Sequence, residues 1–446
     1  MSAEKPYRLA VIGAEPAGFA AAAVAALSGA RVLVLPAGWE ENRPGYASRP
    51  AIPPDIWRRL ALHRSGLVEH AAPACVSLRS DGKSTYSYKS LAETRDALER
   101  ASEADAAALP DFLAEMARVR RVASVMTNGA DADALADPAC AAAARVLVRP
   151  YRETIARHFE AAETQSHFAA RTLFQNAAAP GAYGSAGAFA EALDPDGWPT
   201  RDDDGFSAAD ALKKVASDAG AEVSEGRLGH IEIARDGFRI QLRDGETIRA
   251  RSILAASERS ANVAGVAAAG RARNGRDPGT TEAFVRLRLS QPVAAPDIDM
   301  DEGSLFSICD SVGEVQRAFD QAKDGAWPDK PPIFFELSPD RKEIYARAPV
   351  APGRFFVDGN PRGWSEQDRQ AFATRVVRRM SERLEGIDRT LRRTEVRVME
   401  GPLDEDGAPL PVVTSPDIHV AGGAHGDVRA AVRIVDRLLG SGAGEP

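Results

Sequence analysis

The stretch RLAVIGAEPAGFAAAAVAALSGARVLVLP, residues 8–36, decides how the rest of the chain is read. An apolar run at 9–13 breaks into a Gly/Pro turn, an Ala-rich stretch of helical character follows over 19–27, and Ser28-Gly29 lead into a second apolar run. Strand period gives way to helix period and back within about 30 residues, which is the βαβ unit of a parallel sheet. The turn itself, Gly13-Ala14-Glu15-Pro16-Ala17-Gly18, aligns with G-x-G-x-x-G. In that pattern the first glycine makes the turn, the second lets backbone approach a pyrophosphate, and the third lets helix and strand pack closely. Gly13 and Gly18 are in place, but Glu15 holds the middle position and brings a carboxylate where a diphosphate would meet the helix N-terminus. The acid that ordinarily ends the second strand and binds ribose hydroxyls is replaced by Pro36, with Glu40 and Glu41 a few residues on. Two readings stay open on these residues: a dinucleotide site with an altered pyrophosphate turn, and a βαβ unit kept for folding alone.

Working outward, 446 residues is about three times the ~150 residues of a typical domain, so one large composite unit or two domains are expected. Lys and Arg number 56 against 64 Asp and Glu, a net charge of -8, and no basic block is long enough to follow a phosphate backbone. Nucleic acid is therefore not an expected partner. Hydrophobic residues at 44% and charged residues at 27% are near globular averages, which excludes global disorder and a multi-span membrane protein. The most apolar uncharged stretch, between Glu15 and Arg31, is shorter than the roughly 20 residues a membrane helix needs and is broken by Gly29. Cys75, Cys140 and Cys309 lie far apart and outside any CxxC or Cys/His cluster, so neither a disulfide framework nor a metal site is expected. Such cysteine usage, with an N-terminus that enters a strand without signal-peptide character, points to a cytoplasmic protein.

Further along, 92–125 has a charged helical pattern that reads as paired surface helices. A helix over 208–223 precedes short strands at 231–233, 238–242 and 248–255, with Asp244-Gly245 as a hairpin turn, forming a β-meander. Residues 261–279 read as a loop. Alternation of Val285, Leu287 and Leu289 with Arg286 and Arg288 marks a half-exposed antiparallel strand, and 333–337 and 344–348 add two more. Ser365 caps a helix whose apolar face is Phe372, Val376, Met380 and Leu384. A strand from 417 and a helix over 428–439 close the chain. The fold class read from these elements is α/β, with a doubly wound unit at the start of the chain and a mixed α+β region late in it.

With VIGAEPAG at 11–18, SEADAAALPDFLAEM from 102, GRLGHIEIARDGFRIQLRDGETIRARSILAAS at 226–257 and SICDSVGEVQRAFDQAKDG at 307–325, the chain resembles the phytoene-desaturase-like flavoprotein oxidoreductases. Within that group it is most similar to the branch around pyridine nucleotide-disulfide oxidoreductase domain-containing protein 2. The resemblance runs in order over nearly the whole chain through individually loose motifs. It implies FAD as hydride acceptor for dehydrogenation or isomerisation of a small apolar, often isoprenoid, substrate, and no obligatory catalytic triad, so no catalytic residue is assigned. It implies a Rossmann-like FAD/NAD(P)-binding domain, expected over 1–90, 195–260 and 410–446, with an interleaved α+β substrate domain over 91–194 and 261–409, and it also implies the cofactor-binding positions. Beyond Gly13 to Gly18 these are Arg43 and Gly45, in a segment where Tyr46 replaces a second glycine, Leu228, whose backbone would bracket the adenine, and Gly422 and Gly423 in a shortened C-terminal loop. Asp204 replaces one glycine of a pair that would approach the flavin ring. Peripheral contact with a membrane, homo-oligomerisation, and a flavin-free relative that pairs with an active one are left open.

Among other candidates, His419 and His425 read as solvent-facing or locally bonded rather than catalytic. The run Asp202-Asp203-Asp204 reads as a solvated turn rather than a cation site, and Trp198, Trp327 and Trp364 as packing residues.

Overall fold

Tyr7–Ile12, the first strand, pairs in parallel with Val32–Leu35 on one side and with Thr247–Ala255 on the other, so Val11 lies between Val34 and Leu254. The computed structural model describes residues 6–37, 49–50, 52–128, 138–175, 177–195, 198–202, 207–257, 260–261, 264–268, 280–295, 298, 300, 304–398, 413–421 and 428–440. Two compact units divide the chain, one formed by 1–70, 200–271 and 399–446, the other by 71–199 and 272–398.

In the first unit the sheet runs Glu222–Val223, Val32–Leu35, Tyr7–Ile12, Thr247–Ala255, Gly237–Leu242, Leu228–Ala234. Strand 247–255 serves two neighbours in turn. Its first half pairs antiparallel with the meander strand 237–242, and its last three residues pair in parallel with Ile418–Val420 from the far end of the chain. The hairpin at Asp244-Gly245 forms as the dipeptide predicts, with Gly245 at φ +91°.

The first helix spans Pro16–Leu27, three residues earlier than periodicity suggests, because Pro16 supplies a preset φ at the opening turn, where its missing N–H costs nothing. It stops at Ser28-Gly29, where Gly29 takes φ +81°. Every residue from Pro16 to Ala26 is buried. A helix that is apolar on all sides must be enclosed, and this one packs in a core shared with the helices Ala208–Asp218 and Val428–Gly440. The closing helix buries Val428, Ala431, Val432 and Val435 at helical spacing, while its outer face bonds Arg59 to Asp436 at 2.8 Å through both oxygens.

The second unit is built on a seven-stranded sheet in the order Leu391–Val398, Thr280–Leu289, Glu343–Pro352, Ile333–Leu337, Leu305–Ile308, Cys75–Leu78, Ser84–Ser87. The chain enters this unit after His70 rather than near residue 90. The reason is pairing: Cys75–Leu78 lies parallel to Leu305–Ile308 and hairpins with Ser84–Ser87. Helix Glu103–Asn128 is also not a surface element. Leu109, Phe112, Met116, Val119 and Val122 form one fully buried stripe, and Phe112 meets Phe159, Phe168 and Phe189 at 4.7–5.7 Å between ring centroids. The abundant charge at 102–128 hid that stripe from a composition-weighted reading. Strand Thr280–Leu289 is second from the sheet edge, flanked by a strand on each side, and its outward arginines pair with Glu343. Trp198, Trp327 and Trp364 pack internally, Trp327 lying 4.9 Å from Trp364 and 4.8 Å from Phe355. Of the stretch expected as a loop at 261–279, the described part includes a short strand, Val266–Ala268, parallel to Val413–Ser415.

Candidate functional site

The turn between the first strand and first helix is held on both flanks. Gly13 N–H donates to the Leu35 carbonyl at 2.8 Å, and Ala256 N–H donates to the Ile12 carbonyl at 2.8 Å. Gly13 adopts φ +117°, a conformation that L side chains rarely take. A Cβ there would lie 2.4 Å from Ser260 Oγ, 2.9 Å from Ala256 Cβ and 3.0 Å from Glu15 Oε1. At Gly18 a Cβ would lie 2.1 Å from the Gly13 carbonyl oxygen, so helix and strand approach here because residue 18 lacks a side chain. These are the two structural tasks that the first and third glycines perform in a pyrophosphate-binding turn.

Glu15 performs a different one. It is the N-cap, with extended backbone (φ -117°, ψ 166°), and its carbonyl accepts the Phe19 N–H at 3.0 Å. Its side chain makes no capping bond to the first turn. The carboxylate is instead fully buried, and Oε1 accepts a hydrogen bond from Ser260 Oγ at 2.9 Å. Ser260 is itself oriented: its N–H donates to Ser257 Oγ at 3.1 Å, and the two hydroxyl oxygens lie 3.2 Å apart. Both serines are buried. A buried carboxylate requires such bonds, since desolvation without them is costly.

For a dinucleotide, the scaffold fits in three respects. The glycine turn is formed, the helix behind it opens with Pro16 and carries no acidic residue in its first turn, and the strand order around it is that of a parallel nucleotide-binding sheet. The Glu15 carboxylate is the element that would repel a diphosphate, and it is engaged with Ser260, not with the helix amides. The residues present therefore fit the phosphate half of a dinucleotide on the condition that this carboxylate stays where Ser260 holds it. Pro36 follows the second strand, so no acid stands there for a ribose.

Of the positions expected from sequence, Gly13, Ala14, Glu15, Pro16, Ala17 and Gly18 form this one turn, with all but Ala14 buried. Leu228 is buried on the outermost meander strand, two strands away from Thr247–Ala255, and its carbonyl accepts from the Arg243 guanidinium at 3.3 Å. Arg43, Gly45, Tyr46, Asp203, Asp204, Gly422, Gly423 and His425 lie outside the described residues. His419 sits within the strand Ile418–Val420, opposite Leu254, not in a loop. Ser260 was not among the expected positions. It lies 245 residues from Glu15, and only the need of an acid at a glycine position for a donor would have hinted at it.

One constellation in the second unit has the residue types of a nucleophile and base: Ser77 Oγ lies 2.8 Å from His167 Nδ1 and 2.8 Å from Ser307 Oγ. All three are buried, and burial, with Arg171 nearby, pushes the His167 imidazole down to about 3. The neutral, fully buried ring bonds the Ser77 hydroxyl, which in turn bonds Ser307, an arrangement closed to solvent and so a packing one. Among the described residues no group of three or more His, Cys, Asp or Glu could hold a metal ion, and no helix is long and apolar enough to cross a membrane. Cys75, Cys140 and Cys309 are buried free thiols.

No protein-family model and no curated protein matches the chain. Solved structures do. A triple mutant of putrescine oxidase, from a redesign of its cofactor binding, superposes with a TM-score of 0.52 over 98% of both chains at 14% identity. Cyclohexylamine oxidase from Brevibacterium oxydans aligns over 98% of this chain and 99% of its own, at 14% identity and a TM-score of 0.49. A Rab GDI from Plasmodium falciparum aligns over 98% and 97%, at 10% identity and a TM-score of 0.49. At such identities the likeness is one of fold. The putrescine oxidase match and the sheet order together establish a Rossmann-like, FAD/NAD(P)-binding-type α/β fold with an interleaved α+β unit.

Proposed function

We propose that this protein is an FAD-dependent oxidoreductase. The observation that carries the reading is the turn of 13–18, with Gly13 and Gly18 in their structural places, set in the nucleotide-binding sheet order of a chain that shares its fold over 98% of its length with a putrescine oxidase variant. The backbone of Gly13, Ala14, Ala17 and Gly18 would hold the diphosphate at the start of the first helix. Arg43, Gly45, Leu228, Gly422 and Gly423 complete the proposed cofactor set by resemblance. A bound flavin supplies hydride acceptance, and the protein's part is to bind, orient and exclude water. Similarity to the phytoene-desaturase-like group favours dehydrogenation or isomerisation of a small apolar, isoprenoid-like substrate. A cytoplasmic protein, alone or as a homo-oligomer, in peripheral contact with the lipid surface that holds such substrates, belongs to the same reading. Protein purified from cells should show flavin absorption bands and release FAD on denaturation. A colourless, folded preparation that also fails to take up added FAD would sink it.

A second reading is favoured by one observation, the buried carboxylate of Glu15 at the middle glycine position. On it the chain is a flavin-free relative that keeps the fold for interaction, for instance by pairing with an active enzyme. The same spectrum decides between them.

A further inference from the structure

We infer that Ser260 is a positioning residue for the cofactor turn: its hydroxyl keeps the Glu15 carboxylate off the start of the first helix and so leaves that turn open to a diphosphate. This rests on the flavoenzyme reading. Three observations combine. Glu15 stands at the N-cap, where a side-chain oxygen can bond the amides of the first turn, yet it makes no such bond. Its Oε1 instead accepts from Ser260 Oγ at 2.9 Å, in a fully buried setting where a carboxylate needs a donor. The space for that contact exists because Gly13 has no Cβ, which would lie 2.4 Å from Ser260 Oγ and 3.0 Å from Glu15 Oε1.

The first glycine of the turn thus makes room for a pair the chain supplies itself. Ser257 fixes the donor, since it accepts the Ser260 N–H at 3.1 Å and places the hydroxyl. Deprived of Ser260, the carboxylate stands beside the N-terminal amides of the first helix, which attract an anion and are the place where an anionic ligand must bind. Ser260 therefore acts on the cofactor through Glu15 and need not touch it.

The test is FAD affinity of the full chain, read by quenching of flavin fluorescence after removal and re-addition of FAD, with thermal unfolding recorded for every variant. Ser260→Ala should weaken FAD binding by roughly tenfold or more, as expected for an anion brought beside a diphosphate. Ser260→Thr, which keeps the hydroxyl, should bind as the wild type does. Adding Glu15→Gly to Ser260→Ala should restore binding, because the carboxylate that needed restraint is gone. Undiminished affinity in folded Ser260→Ala overturns the role, as does a loss that Glu15→Gly fails to repair, which would mark a packing defect. Folded wild-type protein that takes up no FAD overturns the flavoenzyme reading itself and this role with it.

Discussion

At the scale of single residues, the tightest constraint in the first unit is the contact between Gly18 and the Gly13 carbonyl. A methyl group at 18 would meet backbone, which cannot rotate away as a side chain can. Gly18→Ala should therefore destabilise the protein by roughly 2–4 kcal/mol, seen as a lower denaturant midpoint. An unchanged midpoint would mean that helix and strand can separate at this point without loss.

In the second unit the decisive residue is Arg379, which is buried and shared by three carboxylates: Asp310 at 3.1 Å, Glu314 at 2.7 Å, and Glu382. Burial pushes the Glu314 carboxyl up to about 6, more than its share of Arg379 pulls it down. Asp310 goes the other way. Burial opposes ionisation there too, but bonds from the Ser80 N–H and hydroxyl, with Arg379, hold it well below the usual carboxylate range. The sign for Glu314 is that its folded form holds a proton more tightly than the unfolded chain. Its contribution is present below about pH 4.5 and is lost as pH rises through about 6, a difference on the order of 2 kcal/mol. Glu314→Gln lacks this titration, so the stability of the variant relative to wild type should climb between pH 4.5 and 6.5. Parallel stability curves for the two proteins across that window would show that Arg379 offsets the burial completely.

At the scale of elements, helix Glu366–Ser381 illustrates how local chemistry and packing agree. Ser365 accepts the Asp368 N–H at 3.2 Å while Asp368 accepts the Ser365 N–H at 2.8 Å, a complete capping box. Burial works against the Asp368 carboxylate, yet Arg362 and Ser365 hold its carboxyl down at about 2, so the cap is ionised at all ordinary pH. The buried face of Phe372, Val376 and Met380 then docks against the sheet core together with Leu384, which lies three residues past the helix end and not on the helix as its spacing suggests. Ser365→Ala should cost about 1 kcal/mol, measured by urea unfolding followed through Trp364 and Trp327. A cost near zero would show that the docked face alone holds the first turn. The first helix offers the contrasting case. It has no side-chain cap and no polar face, and only enclosure by the helices Ala208–Asp218 and Val428–Gly440 keeps an Ala-rich segment in place.

At the scale of the whole molecule, the first unit is assembled from three separate stretches of chain. Its sheet closes only when Ile418–Val420 reaches the end of Thr247–Ala255, and its core only when the closing helix covers the first. A chain ended at residue 412 should accordingly lose hydrogen-exchange protection at amides of Tyr7–Ile12 and Val32–Leu35, while amides of Thr280–Leu289 in the second unit stay protected. Equal protection of both sets would contradict the division into units.

What the sequence by itself determined is whatever local pattern encodes. The switch from strand to helix to strand over 8–36, the hairpin at Asp244-Gly245, the capped helix after Ser365 and the two structural glycines of the turn were all legible, because each depends on residues within a few turns of one another. What only the tertiary structure decided depends on partners far along the chain. Cys75–Leu78 joins the second unit because Leu305–Ile308 is its neighbour, and Ser84–Ser87 follows by its hairpin, while helix Glu103–Asn128 is core because aromatic rings 47 to 77 residues away close over Phe112. The same holds at the site. Residue 15 reads as a charge that spoils a glycine turn, and its consequence is set by Ser260, 245 residues on, since a carboxylate's effect on a neighbouring anion depends on where it points and which donor holds it.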